Sequence, residues 1–82
     1  MRPDVHDAAY LWDMLDRANI IREFCANLKF HEYTRDKKVQ LAVERLIEII
    51  GEAANRVSDE FQQAHPEIPW RKIISQRNVL AH

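Results

Sequence analysis

The sequence predicts an all-α chain, an antiparallel up-and-down bundle of three helices with a fourth missing. Three observations carry that expectation. There is one glycine, and the three prolines, Pro3, Pro66 and Pro69, stand outside two long stretches rich in Leu, Ala, Ile, Glu and Arg, the residue types that lose least on entering a helix. Within those stretches apolar residues recur at three- and four-residue steps, the period of one helical face. The third apolar pattern is still running where the sequence stops.

The first helix is expected from Asp4 to about Leu28. Asp4 can cap it, and Asp7 suits the positive end of its dipole. Its stripe is Leu11, Met14, Ala18, Ile21, Cys25 and Leu28, widened by Ala8, Trp12 and Leu15. The polar link "KFHEYTRD" leads to a second helix, expected from Thr34 to Phe61, with a seam of Val39, Val43, Leu46, Ile50, Ala53 and Val57. Gly51 interrupts it at a cost of about 1 kcal/mol relative to alanine. It marks either a close approach of another backbone, the favoured reading, or room for a ligand. In "HPEIPW", Pro66 ends the second helix and Pro69 suits the first turn of a third, where a missing N–H costs nothing. Trp70, Ile73, Ile74, Leu80 and Ala81 make the third apolar face.

Eighty-two residues form one small domain over 1–82, and chains of this size bury only about 60% of their unfolded surface. Three amphipathic helices leave an open groove, filled by a lost fourth helix or by a partner chain. Cys25 is the only cysteine, which excludes an internal disulfide and suits a reducing compartment. No apolar run approaches the roughly 18 residues needed to span a membrane and no signal-peptide core is present, so a cytoplasmic protein is expected. The net charge is −1, yet from Pro69 onward Arg71, Lys72 and Arg77 occur with no acid, a locally basic end.

Metal chemistry finds no support: no Glu-x-x-His pair suits a di-metal bundle, and no Cys/His spacing suits zinc. Ser58 and Ser75 have no base or oxyanion loop in view, and there is no glycine-rich phosphate loop. Arg45, Glu48 and Glu52 share a face of the second helix. Their spacing favours a solvated, salt-bridged face, with a polar wall beside an active site as the sharper alternative. His6, His31 and His65 are isolated. His82 closes "QRNVLAH", with Arg77 and Asn78 before it, a triplet that composition alone yields roughly 0.02 times in such a chain. Asn78 and His82 share a helical face, whereas Arg77 lies about 140° from His82 and needs its long stem to reach. Together these groups suit phosphodiester cleavage without a metal or other cofactor. Imidazole takes the proton of a ribose 2′-hydroxyl, guanidinium forks onto phosphate oxygens, and DNA is spared.

"RNVLAH" resembles the Arg-Asn-x-x-x-His signature of HEPN-domain ribonucleases. "AAYLWDML", "AVERLIEIIGEAA", "HPEIPWRKI" and "QRNVLAH" together resemble one branch, the HepT-like toxins paired with minimal nucleotidyltransferase antitoxins. The resemblance implies a HEPN-like bundle that dimerises around an RNA-binding cleft. It implies catalytic roles for Arg77 and His82, a supporting role for Asn78, and a site-lining role for Arg45, Glu48 and Glu52, with Arg71 and Lys72 on the basic third helix. The branch continues His-x-Tyr, where the antitoxin adds AMP to the tyrosine, and then a fourth helix. Nothing follows His82 here, so the resemblance implies a truncated chain. The rival reading is a non-catalytic helical module that dimerises or binds the nucleotidyltransferase.

Overall fold

The computed structural model describes residues 4–80, the side chains of 4–76 among them. They form α1 (Val5–Cys25), α2 (Phe30–Tyr33), α3 (Lys37–Arg56), α4 (Asp59–Ala64) and α5 (Trp70–Leu80), with no strand among the described residues. The all-α expectation holds, with α1, α3 and α5 as the long elements. No helix among the described residues is long and apolar enough to cross a membrane.

Local hydrogen bonding explains where each helix begins and ends. Asp4 caps α1 as expected, accepting the Asp7 N–H at 2.7 Å. The helix stops at Cys25, short of Leu28, because the chain turns through Ala26 and Asn27, and the Leu28 N–H donates to the Cys25 carbonyl at 3.2 Å. The polar link is not open loop. It holds the single turn α2, whose Lys29 N–H donates to Glu32 Oε1 at 3.0 Å. Thr34 does not open α3: its hydroxyl donates back to the His31 carbonyl at 2.9 Å. Asp36 takes the cap instead, accepting the Val39 N–H at 3.1 Å.

The second expected helix is broken. Val57 is extended (φ −64°, ψ 136°), so α3 ends at Arg56, and Ser58 opens α4 by accepting the Phe61 N–H at 3.2 Å. A helix end leaves carbonyls unpaired, and here the Gln62 amide nitrogen donates to the carbonyls of Ala54 (3.2 Å) and Val57 (2.9 Å). Asp7 spans the break. It is only 4% exposed, and its carboxylate accepts the Ser58 N–H at 2.8 Å and the Ser58 hydroxyl at 2.6 Å. The sequence assigned Asp7 to the helix dipole; its larger role is to pin α1 to the α3–α4 corner.

At that corner sits the core of Ala54, Val57, Phe61 and Trp70, joined by Tyr10, Leu11, Met14, Ile68, Ile73 and Ile74. Trp70 meets the Phe61 ring edge-on at 6.2 Å, and its indole N–H donates to the His65 carbonyl at 3.0 Å. The central helix is α3, packed against both α1 and α5. Because α5 starts beside the end of α3 and packs along it, the two run antiparallel. Gly51 is buried on α3 with no positive φ, so close packing, not turn geometry, accounts for it.

The bundle is thin. Its radius of gyration is 14.0 Å, against about 12 Å for a compact chain of this length. Trp12 and Leu15 do not join the buried stripe of α1: they are 66% and 53% exposed, and Val5 on the same flank is 83% exposed. The apolar arc of α1 is simply wider than α3 can cover.

Loss of the Asp7 carboxylate strands a buried N–H and hydroxyl, so Asp7→Ala is expected to cost about 2–3 kcal/mol. Removing the exposed cap, Asp4→Ala, is expected to cost about 1 kcal/mol. Urea denaturation checks the order; equal costs would contradict the pinning role of Asp7.

Candidate active site

The site is built on α5. The Pro69 carbonyl accepts the Ile73 N–H at 3.1 Å, so the proline stands just before the helix rather than inside its first turn, and Trp70 anchors the start in the core. From that anchor the antiparallel run and the common 1.5 Å rise bring the turn of Arg77 about level with Glu48 of α3. Arg77 and Asn78 fall in the last turns of α5, with their side chains outside the described residues, and His82 lies outside the described residues altogether.

Arg71 and Lys72 are exposed on the first turn of α5. They line an open groove of ≈ 1040 Å³ between α4 and α5. Pro66, Ile68, Pro69, Trp70 and Ile74 supply its apolar surface, and Gln62, Gln63, Ser75 and Gln76 its neutral polar groups; none of the lining residues is acidic. The groove reaches Gln76, the residue before Arg77. Sequence reasoning missed Gln62 and Gln63 because they fell at the end of a helix expected to be continuous.

Glu67 adjoins this groove in sequence but not in charge. Its Oε2 lies 2.9 Å from Nδ1 of His65. The hydrogen bond from His65 holds the Glu67 carboxyl below its ordinary range, helped by its own backbone N–H and by the charge of the imidazole. His65 in turn stacks on Phe61 with ring centroids 4.4 Å apart. The acid is therefore engaged with an imidazole that the core holds in place.

Arg45 and Glu48 are a salt bridge at 3.2 Å, with the Arg45 side chain 63% exposed. That is the solvated pair read from their spacing, worth a few tenths of a kcal/mol. Neither lines the α4–α5 groove, and nor does Glu52, which is half-buried on the same helix. Of the expected site-lining residues, then, Arg71 and Lys72 share a groove while Arg45, Glu48 and Glu52 share a helix. Among the described residues no group of three or more His, Cys, Asp or Glu gathers as metal ligands would.

Comparison with known proteins follows the same stretch of chain. The family model described as Ribonuclease HepT-like matches residues 14–82. The protein named "Probable ribonuclease HepT" from Thermococcus cleftensis is 42% identical over 73 residues, covering 89% of this chain and 66% of its own. A Methanocaldococcus jannaschii protein named as a candidate RNase is 36% identical over 74 residues, covering 90% of this chain and 68% of its own. A second such protein of that organism is also 36% identical over 74 residues, at 90% and 61%. The chain thus spans about two thirds of the length of these curated relatives. No solved structure matches it.

The His65–Glu67 contact has a pH signature. Because the folded pKa of Glu67 is lowered, the contact contributes above the ordinary glutamate pKa and is lost as pH falls through the lowered folded value. His65→Ala is expected to raise the Glu67 titration toward its ordinary position, with the lowering by its own backbone N–H remaining, read from carboxyl carbon NMR shifts. An unchanged titration would show that His65 is not the cause.

Proposed function

Because the chain belongs to the HepT-like ribonuclease family, we propose that it is a metal-independent endoribonuclease that cuts RNA with the Arg77-Asn78-x-x-x-His82 motif. The observation that carries this reading is the reach of the family match to residue 82, which takes in the whole of "QRNVLAH". The names of the relatives, which speak of ribonucleases, support the same activity.

In the proposed reaction His82 removes the proton of a ribose 2′-hydroxyl, at a pKa suited to neutral pH. The 2′-oxygen attacks the adjacent phosphorus, the bond from phosphorus to the 5′-oxygen breaks, and the departing 5′-oxygen takes a proton from solvent. A 2′,3′-cyclic phosphate is left behind. Arg77 forks onto the non-bridging oxygens as charge grows on them, and Asn78 orients its neighbours. Arg45, Glu48 and Glu52 form an outer polar wall of the site. No step in this scheme calls on a metal or a cofactor.

The biological setting we propose is a toxin-antitoxin pair in the cytoplasm, the partner being a minimal nucleotidyltransferase. The working unit is a homodimer of the single 1–82 domain. Support for pairing comes from the thin core and from Val5, Trp12 and Leu15, which lie together on one uncovered flank of α1. Apolar surface in that arrangement is stabilised when a second copy covers it.

Two measurements test this reading. Arg77→Ala and His82→Ala are each expected to lower RNA cleavage by roughly 10²–10⁴-fold with helical circular dichroism unchanged, and EDTA is expected to have no effect. Full activity in either variant, or loss with EDTA, would overturn the mechanism. Light scattering is expected to give at least twice the 9.7 kDa chain mass at micromolar concentration; a stable monomer would overturn the assembly.

A further inference from the structure

The groove between α4 and α5 is more specific than a basic surface needs to be. Gln62 of α4 is one of its lining residues, and its side-chain amide is already oriented. Its nitrogen donates to two backbone carbonyls, those of Ala54 at 3.2 Å and Val57 at 2.9 Å. Carbonyl oxygens accept only from the nitrogen, so the amide is fixed one way round. Its Oε1 is left as an acceptor with no donor among the described residues, held still by two hydrogen bonds on the other side of the same group.

Charge across the groove is one-signed. Arg71 and Lys72 line it, neither is ion-paired among the described residues, and no lining residue is acidic. The nearest acid in sequence, Glu67, is engaged with His65. The same groove is lined by the apolar side chains of Ile68, Trp70 and Ile74. A flat apolar body with a hydrogen-bond donor at its edge and an anion at one end fits all three features. An unstacked nucleotide has that form, while bases inside a duplex keep their edges paired. The groove ends at Gln76, and Arg71 stands only about 9 Å along the axis from Arg77. A strand held at Arg71 is therefore within reach of the turn that carries Arg77.

We propose that the α4–α5 groove seats a nucleotide of single-stranded RNA next to the scissile position, with Arg71 and Lys72 on its phosphate and Gln62 Oε1 accepting from an exocyclic amino group of its base. Gln62 is thus a specificity-determining residue that favours amino-bearing bases. This inference rests on the ribonuclease reading.

Fluorescence anisotropy on the chain as it stands tests it without any substitution. The probes are a short labelled oligoadenylate and the same oligomer built from purine riboside, which lacks the 6-amino group. Oligoadenylate is expected to bind roughly tenfold tighter, the effect of one well-placed hydrogen bond. Gln62→Met is expected to bring oligoadenylate to the affinity of the purine oligomer. The double charge reversal Arg71→Glu/Lys72→Glu is expected to weaken both by roughly tenfold or more, with circular dichroism reporting the fold of each variant. Equal binding of the two oligomers by the unsubstituted chain would overturn the role of Gln62. Undiminished RNA binding after charge reversal would overturn the groove as the RNA track while leaving the ribonuclease reading in place. A chain that neither binds nor cuts any RNA would overturn both.

Discussion

The corner at Val57 and Ser58 decides where the other elements lie. A helix running unbroken to Phe61 would carry "HPEIPW" away from the bundle, and α5 would have nothing to return along. The backbone instead goes extended at Val57, and Ser58 restarts it as α4. Breaking a helix there exposes carbonyls on one side and N–H groups on the other, each costly if buried unpaired. Three side chains meet that cost: Gln62 satisfies the carbonyls, Ser58 accepts the Phe61 N–H, and Asp7 accepts from Ser58 through both its oxygens. Asp7 comes from α1, 51 positions away in sequence, so the local repair also docks α1. Val57, Phe61 and Trp70 then close over the same point, and α5 is launched antiparallel to α3 with its basic turn outward.

Much of this was legible in the sequence because it is written in local chemistry. Asp4 announced its cap, the three- and four-residue steps of α3 announced its buried face, and the prolines of "HPEIPW" marked the turn into α5. The break was not legible from periodicity, since Val57 and Phe61 continue the apolar four-residue step straight through it. The signal was present in another form: Ser58 followed by Asp59 and Glu60 is a cap residue with acids in the first turn. The role of Asp7 had no local signal at all, because its partner lies on another element. The same holds for Trp12 and Leu15, whose exposure depends on how much of α1 the single neighbour α3 can cover. Arg71 and Lys72, which line the α4–α5 groove, stood out in the sequence by charge alone. Gln62 was missed because its amide is organised by the carbonyls of a helix end that the sequence did not announce.

A net charge of −1 sits oddly with a polyanionic substrate until the charges are placed. Glu67 is bound to His65 and Asp7 is buried under Ser58, while Asp59 and Glu60 are exposed on α4 but do not line the groove. Asp13 and Asp16 on α1 lie within reach of Arg17, and Glu48 on α3 is paired with Arg45. The chain from Pro69 onward carries only basic charge. Local field, not the total, governs where an anion settles. A helix with cations exposed at its first turn gives an otherwise near-neutral chain a local place for a phosphodiester to settle.

The central claim is that the nucleophile comes from the RNA itself. Its most direct test is an RNA oligomer in which one nucleotide, the one 5′ to a mapped scission, carries 2′-deoxyribose while every other position is unchanged. Binding and neighbouring scissions then serve as internal controls. The account predicts that cutting vanishes at that one phosphodiester and continues elsewhere. Continued cutting at the deoxy position would mean that water or a protein group attacks phosphorus, and the role given to His82 would be wrong.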